Sequence, residues 1–301
     1  MKLCVTCGTP GVDQDWRCLN CGFSPARIDG FVSFAPALAI KNDGMDAASH
    51  DNLDILQDQS FWFRARNRLI KDLVSRYFPA ARRVLELGCG TGYVTRILRE
   101  TLPNAAISAA EIYTNGLAHA ARRTRGQVEF LQMDARYIPF RDEFDLVCAF
   151  DVLEHIEEDT RVLRQIAAAL APGGGIMLSV PQHPALWSQI DAWSHHKRRY
   201  KSRELADKCR AAGINVIRDT SFVTALLPMM FLKRMTNRHK PVTEPTTEHR
   251  LSRPLDRSLE WVLDVERRLL GAGIDLPVGG SRFVVGHAGV KDDFASSSRG
   301  K

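Results

Sequence analysis

No apolar run in this chain approaches the roughly twenty residues that a membrane-crossing helix needs. The longest, Phe222 to Leu232, is too short and carries Pro228. The start, Met1-Lys2-Leu3-Cys4, lacks the charged-then-apolar pattern of a secretion leader. Both absences lead to the expectation of a cytoplasmic protein without a transmembrane segment, in a compartment that keeps thiols reduced. Strong charge bias is missing as well: 41 Lys and Arg against 35 Asp and Glu leave +6 over 301 residues. So small an excess suits an anionic partner such as a phosphorylated glycan, an anionic lipid surface or RNA without choosing among them, and a mildly basic solvated surface explains it more simply. No internal repeat is present. What remains is a chain that is 45% hydrophobic, enough to bury the core of one large domain plus a small accessory one.

A further absence is local and more telling. The run Val84-Leu85-Glu86-Leu87-Gly88-Cys89-Gly90-Thr91-Gly92 reads as an apolar strand, a carboxylate, and a glycine turn opening a helix. Glycine lets backbone approach a ligand that a Cβ would push away. In the dinucleotide fingerprint G-x-G-x-x-G the third glycine would fall at position 93, which is Tyr93. The spacing here is G-x-G-x-G.

Four of the seven cysteines form two knuckles, Cys4-x-x-Cys7 and Cys18-x-x-Cys21, each followed by a glycine. In a reducing compartment the spacing reads as a tetrahedral thiolate zinc site, with a rubredoxin-like iron site and a pair of disulfides as alternatives. Four protein ligands leave no open coordination position, so the role expected is structural. A segment this short has no core of its own, and metal binding would supply its folding free energy. Cys89, Cys148 and Cys209 lie in apolar or helical patterns and read as buried small hydrophobes.

Along the chain, Arg27 to Phe34 reads as one short strand leaving the cysteine segment, and Leu53 to Phe78 as one helix ended by Pro79. Strands at 84–87, 106–112, 128–133, 144–150, 175–180, 214–222 and 282–287 alternate with helical stretches at 93–101, 116–124, 159–170 and 202–212. That alternation predicts an α/β fold, a doubly wound, seven-stranded, mostly parallel sheet. The division expected is a zinc ribbon at 1–35, a linker at 36–60, and a main domain at 61–290. An insertion at about 223–277 holds the apolar run, a basic loop from Lys233 to Arg253 and a helix from Leu255 to Leu270. The Ser-rich, charged tail at 291–301 reads as disordered.

The strand ends carry acids in order: Glu86 before the turn, Glu111 nineteen residues past Gly92, Asp134 followed by Ala135, and Asp151 after Phe150. Singly each is more simply a helix cap or surface charge; together they line one sheet edge. With the glycine turn they resemble class I S-adenosylmethionine (SAM) methyltransferases. The likeness continues in Asp151-Val152-Leu153-Glu154-His155-Ile156 and in Leu170-Ala171-Pro172-Gly173-Gly174, over about residues 60–220. It implies SAM as cofactor. Glu86 and the loop Gly88, Cys89, Gly90 and Gly92 would take the methionine end. Glu111 with Ile112 would take the ribose, Asp134 with Ala135 the adenine, and Phe150-Asp151 would flank the exit of the methyl group. The front resembles the zinc ribbon preceding many such domains. Phe61-Trp62-Phe63-Arg64-Ala65-Arg66 is similar to the lid helix of a bacterial subgroup acting on lipid-linked or glycan substrates. Asp191 with His196-Lys197-Arg198-Arg199-Tyr200 matches a second segment of that subgroup.

Methyl transfer from a sulfonium needs positioning, and a base where the acceptor is a hydroxyl or amine. His183, Asp191, His195 and His196 are the candidates. His196 is the leading one, oriented by Asp191, and a solvated basic loop is the alternative. Arg198 and Arg199 are candidates to clamp an acceptor phosphate or carboxylate. Asp151, Glu154 and His155 resemble the segment proposed to bind a divalent metal in ubiquinone-pathway O-methyltransferases, so a divalent ion there is a secondary expectation. The apolar run at 222–232 beside Lys233 and Arg234 reads either as a peripheral membrane patch or as a cap over the site. The function expected is methyl transfer to a small-molecule, lipid-linked or sugar-linked acceptor. The alternatives are a zinc-ribbon rRNA or tRNA methyltransferase, disfavoured by a ribbon with only Lys2, Arg17 and Arg27 as cations, and a non-catalytic SAM-binding scaffold.

Overall fold

The computed structural model describes residues 1–40, 47–237 and 251–289. Nine strands form one sheet: β1 (Ala26–Ile28), β2 (Phe31–Ser33), β3 (Arg83–Leu87), β4 (Ala106–Glu111), β5 (Glu129–Gln132), β6 (Phe144–Phe150), β7 (Leu170–Pro181), β8 (Ile214–Phe222) and β9 (Ser281–Ala288). Their spatial order is β1-β2-β5-β4-β3-β6-β7-β9-β8. The inner pairs from β2 to β7 are parallel, and β1–β2, β7–β9 and β8–β9 are antiparallel. From β3 the chain moves outward through β4 and β5, then returns to β3's other side with β6. Open sheets bind ligands at that reversal, beyond the carboxyl ends of the strands.

Strand alternation sends successive side chains to opposite layers. Val84 and Leu146 face Leu69, Val74 and Leu98 of α3 (Phe61–Tyr77) and α4 (Tyr93–Thr101), together with Leu263 of α10 (Arg253–Gly271). Leu85 and Val147 face Leu163 and Ile166 of α6 (Asp159–Ala169) and Cys209 of α8 (Glu204–Ala211). Cys89, Cys148 and Cys209 are buried, as their surroundings in sequence predicted.

Three expectations change. The single strand at 27–34 is a hairpin, because Asp29 and Gly30 both adopt positive φ between β1 and β2; β2 then adds to β5, and the sheet gains two strands. The helix expected at 53–78 breaks at Ser60 into α2 (Ala47–Gln59) and α3, where the buried Asp256 of α10 accepts the Phe61 N–H at 2.9 Å. The stretch expected as a linker, 36–60, carries α1 (Pro36–Ile40) and all of α2. In the insertion, α9 runs Leu227–Asn237 before α10. Most of the basic loop and the tail at 291–301 lie outside the described residues.

The cysteine segment docks through Trp16, 4% exposed, whose ring meets Phe34 at 4.6 Å and Phe140 at 5.3 Å while its Nε1 donates to Glu129. No helix among the described residues is long and apolar enough to cross a membrane.

Candidate active site

Beyond Leu87 the chain turns through Gly88, Gly90 and Gly92, with φ of 66°, 51° and 76°. L side chains rarely adopt these values. Packing also requires two of the three glycines: a Cβ at 88 would lie 2.4 Å from Val152, and one at 92 would lie 2.7 Å from Ala120. At Gly90 a Cβ meets nothing within 4 Å. Gly90 instead faces a cavity of about 1010 Å³ that runs along the carboxyl ends of the strands. The Gly90 N–H donates to Glu111 at 2.9 Å, and the other Glu111 oxygen accepts the Ile112 N–H at 2.7 Å. Turn and acid are thereby locked to each other.

The expected cofactor residues Glu86, Gly88, Cys89, Gly90, Glu111 and Ile112 all line this cavity. So do Asp134, Ala135, Phe150 and Asp151. Gly92 does not; it opens α4 and packs on Ala120. Glu86 is 2% exposed and its Oε2 lacks a hydrogen-bond partner. Burial pushes its carboxyl up to about 8, against the lowering influence of Thr95 and Arg66. Asp134 is held by its own loop, its oxygens accepting the Arg136 amide and guanidinium at 2.9–3.0 Å. Asp151 stands at φ 56°, accepts the Ser179 hydroxyl at 3.1 Å and pairs with Arg66. These features fit SAM: an open glycine cradle, an unpartnered buried carboxylate oxygen suited to an ammonium group, and acids at the ribose and adenine positions.

Sequence reading did not single out Arg66 as a site residue. It is 6% exposed, lies over the Trp62 and Phe63 rings at 4.7 and 5.4 Å, and bonds Asp151 across the cavity, with its Nε unpartnered. Arg64 and Arg68, on the opposite side of α3, bind Glu260 of α10 instead. The available signal was three arginines at alternate positions on one helix, which turn to different faces. Helix α2 contributes His50, Leu53 and Leu56 to the cavity wall, and Gln57 accepts the Thr91 hydroxyl of the glycine turn. Arg123 of α5 (Thr114–Thr124) pins α2 through Asp54.

Past β7 lies the second wall. Ser188 and Asp191 form a capping box on the short helix α7 (Gln189–Trp193). Asp191 is fully buried and accepts His196 Nδ1 at 2.9 Å and Arg199 Nε at 2.7 Å. Burial pushes the Asp191 carboxyl up, but His196, Arg199 and the Ser188 amide outweigh it and hold it below the usual carboxylate range. His196 lines the cavity; Asp191 stands behind it, and His183 is not among the lining residues. His183 adopts φ 64° and lies near Phe231, with burial and then Arg199 lowering its pKa. The Arg198–Arg199 clamp is not free: Arg198 bonds Asp159 and the Glu157 carbonyl, and Arg199 bonds Asp191 and the Gln182 carbonyl. Lys197 is the cation of this run that lines the cavity alongside Arg199.

Glu154 is fully buried, and neither of its oxygens has a partner. One ligand atom each from Glu154, His155 and His196 falls within 4.8 Å of the others, and the two histidine rings meet edge-on at 4.7 Å. The structure thus groups Glu154 and His155 with His196, whereas Asp151 is engaged by Arg66 and Ser179.

At the front, the Sγ atoms of Cys4, Cys7, Cys18 and Cys21 all lie within 4.8 Å of one another, with Cys4–Cys21 at 3.7 Å and Cys7–Cys18 at 3.6 Å. A tetrahedral zinc with Zn–S of about 2.3 Å separates its sulfurs by about 3.8 Å, so the spacing fits that ion. The amides of Thr6 and Cys21 approach the Cys4 and Cys18 sulfurs, and the flanking Gly8 and Gly22 take φ of 70° and 74°.

A family model described as a methyltransferase domain matches residues 62–219. A trans-aconitate 2-methyltransferase of Methylobacterium nodulans is 32% identical over 52% of this chain and 59% of its own. A malonyl-[acyl-carrier protein] O-methyltransferase of Priestia megaterium is 24% identical over 44% of this chain and 49% of its own. This chain therefore spans about half the length of the curated relatives it matches. Among solved structures, the Haemonchus contortus phosphoethanolamine N-methyltransferase 2 complex with S-adenosyl-L-methionine superposes with a TM-score of 0.51 at 18% identity, over 74% of this chain and 52% of that one. The cyclase SpnF shares the fold at a TM-score of 0.50 and 21% identity, over 76% of this chain and 83% of that one. A match over more than half its residues, spanning the glycine turn and the acidic strand ends, makes this chain a member of the methyltransferase domain family.

Proposed function

We propose that this chain transfers a methyl group from SAM to a small-molecule, lipid-linked or sugar-linked acceptor. The observation that carries the reading is the glycine turn open only at Gly90 and locked to Glu111, beside a buried Glu86 with a free oxygen. When bound, the sulfonium supplies an activated methyl group and a good leaving group. The chain's own residues then have four tasks. Ionised Glu86 accepts the ammonium end. Glu111 and Asp134 accept donors of the sugar and base. Arg66 holds Asp151 at the edge of the site. Asp191 accepts the His196 Nδ1 proton, which leaves the Nε2 lone pair to take a proton from an acceptor hydroxyl or amine. The acceptor's apolar part is placed between Trp62, Met229, Met230 and Leu259, all of which line the cavity. Methionine suits such a surface because its unbranched side chain adapts to irregular shapes.

A nucleic-acid acceptor has less support. Lys2 of the ribbon pairs with Glu129 and lies over Trp16, and Arg27 bonds the Gly30 carbonyl, so these two do not form a free basic stripe. A second reading of the far wall is a divalent cation held by Glu154, His155 and His196, favoured by the two unpartnered Glu154 oxygens. The four cysteines are read as holding one structural zinc, so metal analysis should return one zinc per chain.

The test is transfer of radiolabel from SAM to small-molecule, lipid and RNA fractions of a cell extract, kept separate. Label in the small-molecule or lipid fraction supports the reading. Label confined to RNA overturns the acceptor, and tight SAM binding with label in no fraction supports a scaffold. Titration with magnesium, manganese or zinc, with Glu154→Gln as control, decides the cation: heat from wild type alone supports it.

A further inference from the structure

We propose that the outward face of α10 is a docking surface for an anionic phospholipid bilayer. Helix α10 has two dissimilar faces. Its inner face buries Leu263 and Leu270 in the core shared with α3. Its outer face displays Trp261, Val265 and Leu269 at one-turn spacing, 66%, 38% and 39% exposed, with Leu255 a further turn and a half back at 47%. An exposed apolar stripe of that kind marks an interaction surface.

The charges decide what it meets. All four carboxylates of α10 are engaged by neighbours, and Asp256 and Glu266 are buried. Asp256 accepts the Phe61 amide and pairs with Arg64. Glu260 pairs with Arg64 and Arg68, and Asp264 with Arg68 and Arg267. Glu266 accepts the amides of Thr224 and Ala225. On the outer side the exposed charges are Arg253, Arg257 and Arg268. The outer face is therefore apolar residues among cations, with a tryptophan on it. That combination lets a helix lie in the headgroup plane of an anionic bilayer, the ring and aliphatic side chains entering the acyl boundary and the guanidinium groups meeting phosphates.

Other occupants fit less well. Two copies meeting face to face by a two-fold axis would oppose each copy's arginines to cations of the other. A nucleic acid would meet Val265 and Leu269 where a groove offers phosphates. Placement also favours lipid: Leu255, exposed on α10, lines the mouth of the cavity together with Met229, 49% exposed on α9. Docking α10 brings that mouth to the bilayer surface, where an amphiphilic molecule can enter without crossing water. The docking itself needs neither cofactor nor turnover, so it stands or falls apart from the methyl-transfer reading.

The test is flotation of the full chain with vesicles of phosphatidylcholine alone or mixed with phosphatidylglycerol. Wild type should float with the mixed vesicles, at least about tenfold more tightly than with the neutral ones, and less tightly as salt rises. The double variant Trp261→Glu/Leu269→Glu should lose about tenfold or more of that partition while its thermal midpoint and SAM affinity stay at wild-type values, because neither side chain lines the cavity. A second variant, Arg257→Glu/Arg268→Glu, should lose the preference for anionic lipid. Wild type that stays in the aqueous phase overturns the proposal, as does a double variant that floats like wild type. Sedimentation showing that Trp261 instead holds a concentration-dependent dimer assigns the face to a second copy and overturns the lipid assignment.

Discussion

The two ends of the cavity are built by different means. At the proposed cofactor end, the candidate ligating groups sit on one loop after each of four neighbouring strands, and much of the surface is backbone: the Gly90 amide, the turn around it, the Ile112 amide on Glu111. At the acceptor end the wall is side chains from elements far apart in sequence, Trp62 on α3, His196 after α7, Met229 on α9 and Leu255 on α10. Backbone fixed by glycine and strand register presents the same shape to every ligand. Side chains from four separate elements can be exchanged without disturbing the sheet. One end is therefore defined by backbone, and the other is the end that substitution can reshape.

The largest effect should come from filling the open position of the turn. Gly90→Arg should abolish SAM binding by calorimetry while the thermal midpoint falls by only a few degrees, since a Cβ there meets no neighbour within 4 Å, the side chain continues into the cavity, and strain at φ 51° costs about 1–3 kcal/mol. Unchanged affinity would break the assignment of the cofactor end. Next, His196→Ala should lower turnover by about 10²–10⁴-fold and leave cofactor affinity unchanged. A parallel loss of SAM binding would show that the two ends are not separable.

Smaller and pH-dependent is Glu86→Gln. With its native pKa raised to about 8, Glu86 is protonated in the empty site at neutral pH. SAM affinity should rise as pH is taken from 6 towards 8, by at most about tenfold per unit, and the variant should flatten that rise. Stability runs the other way: the unfolded carboxyl ionises first, so the Glu86 contribution is full below the ordinary carboxylate range and is lost as pH rises towards 8. A wild-type melting profile that matches Glu86→Gln across that window would contradict the burial argument. Smallest is Met229→Ala, half exposed at the acceptor end. It should raise acceptor KM by several-fold, from about 1 kcal/mol of lost apolar contact, with SAM affinity unaltered.

Much of the proposed cofactor end, as a set of residues lining one cavity, was legible because its signals are short-range. Glycine spacing, the carboxylate ending each strand and the alternation of apolar runs with amphipathic helices each lie within a few residues. The rest depended on partners outside the window. The break at Ser60 is invisible locally, since the Phe61 amide is satisfied by Asp256, almost two hundred residues on. Arg66 looks like its neighbours Arg64 and Arg68 until α3 is set against α10 on one side and the cavity on the other. Positive φ at Asp29 and Gly30, not a longer apolar run, makes the strand after the cysteines a hairpin that extends the sheet.

Sequence alone determined the alternation of the main strands and helices, the glycine turn with the acids after it and the spacing of the cysteine knuckles, because each follows from backbone preference or ligand spacing along the chain. Tertiary structure alone decided that α2 walls the cavity, that Arg199 joins His196 on Asp191 while His183 stands aside, and that His196, and not Asp151, completes the group with Glu154 and His155. It alone gave every acid of α10 a partner. Those outcomes depend on which buried charge finds a partner, and a partner is a matter of distance in space.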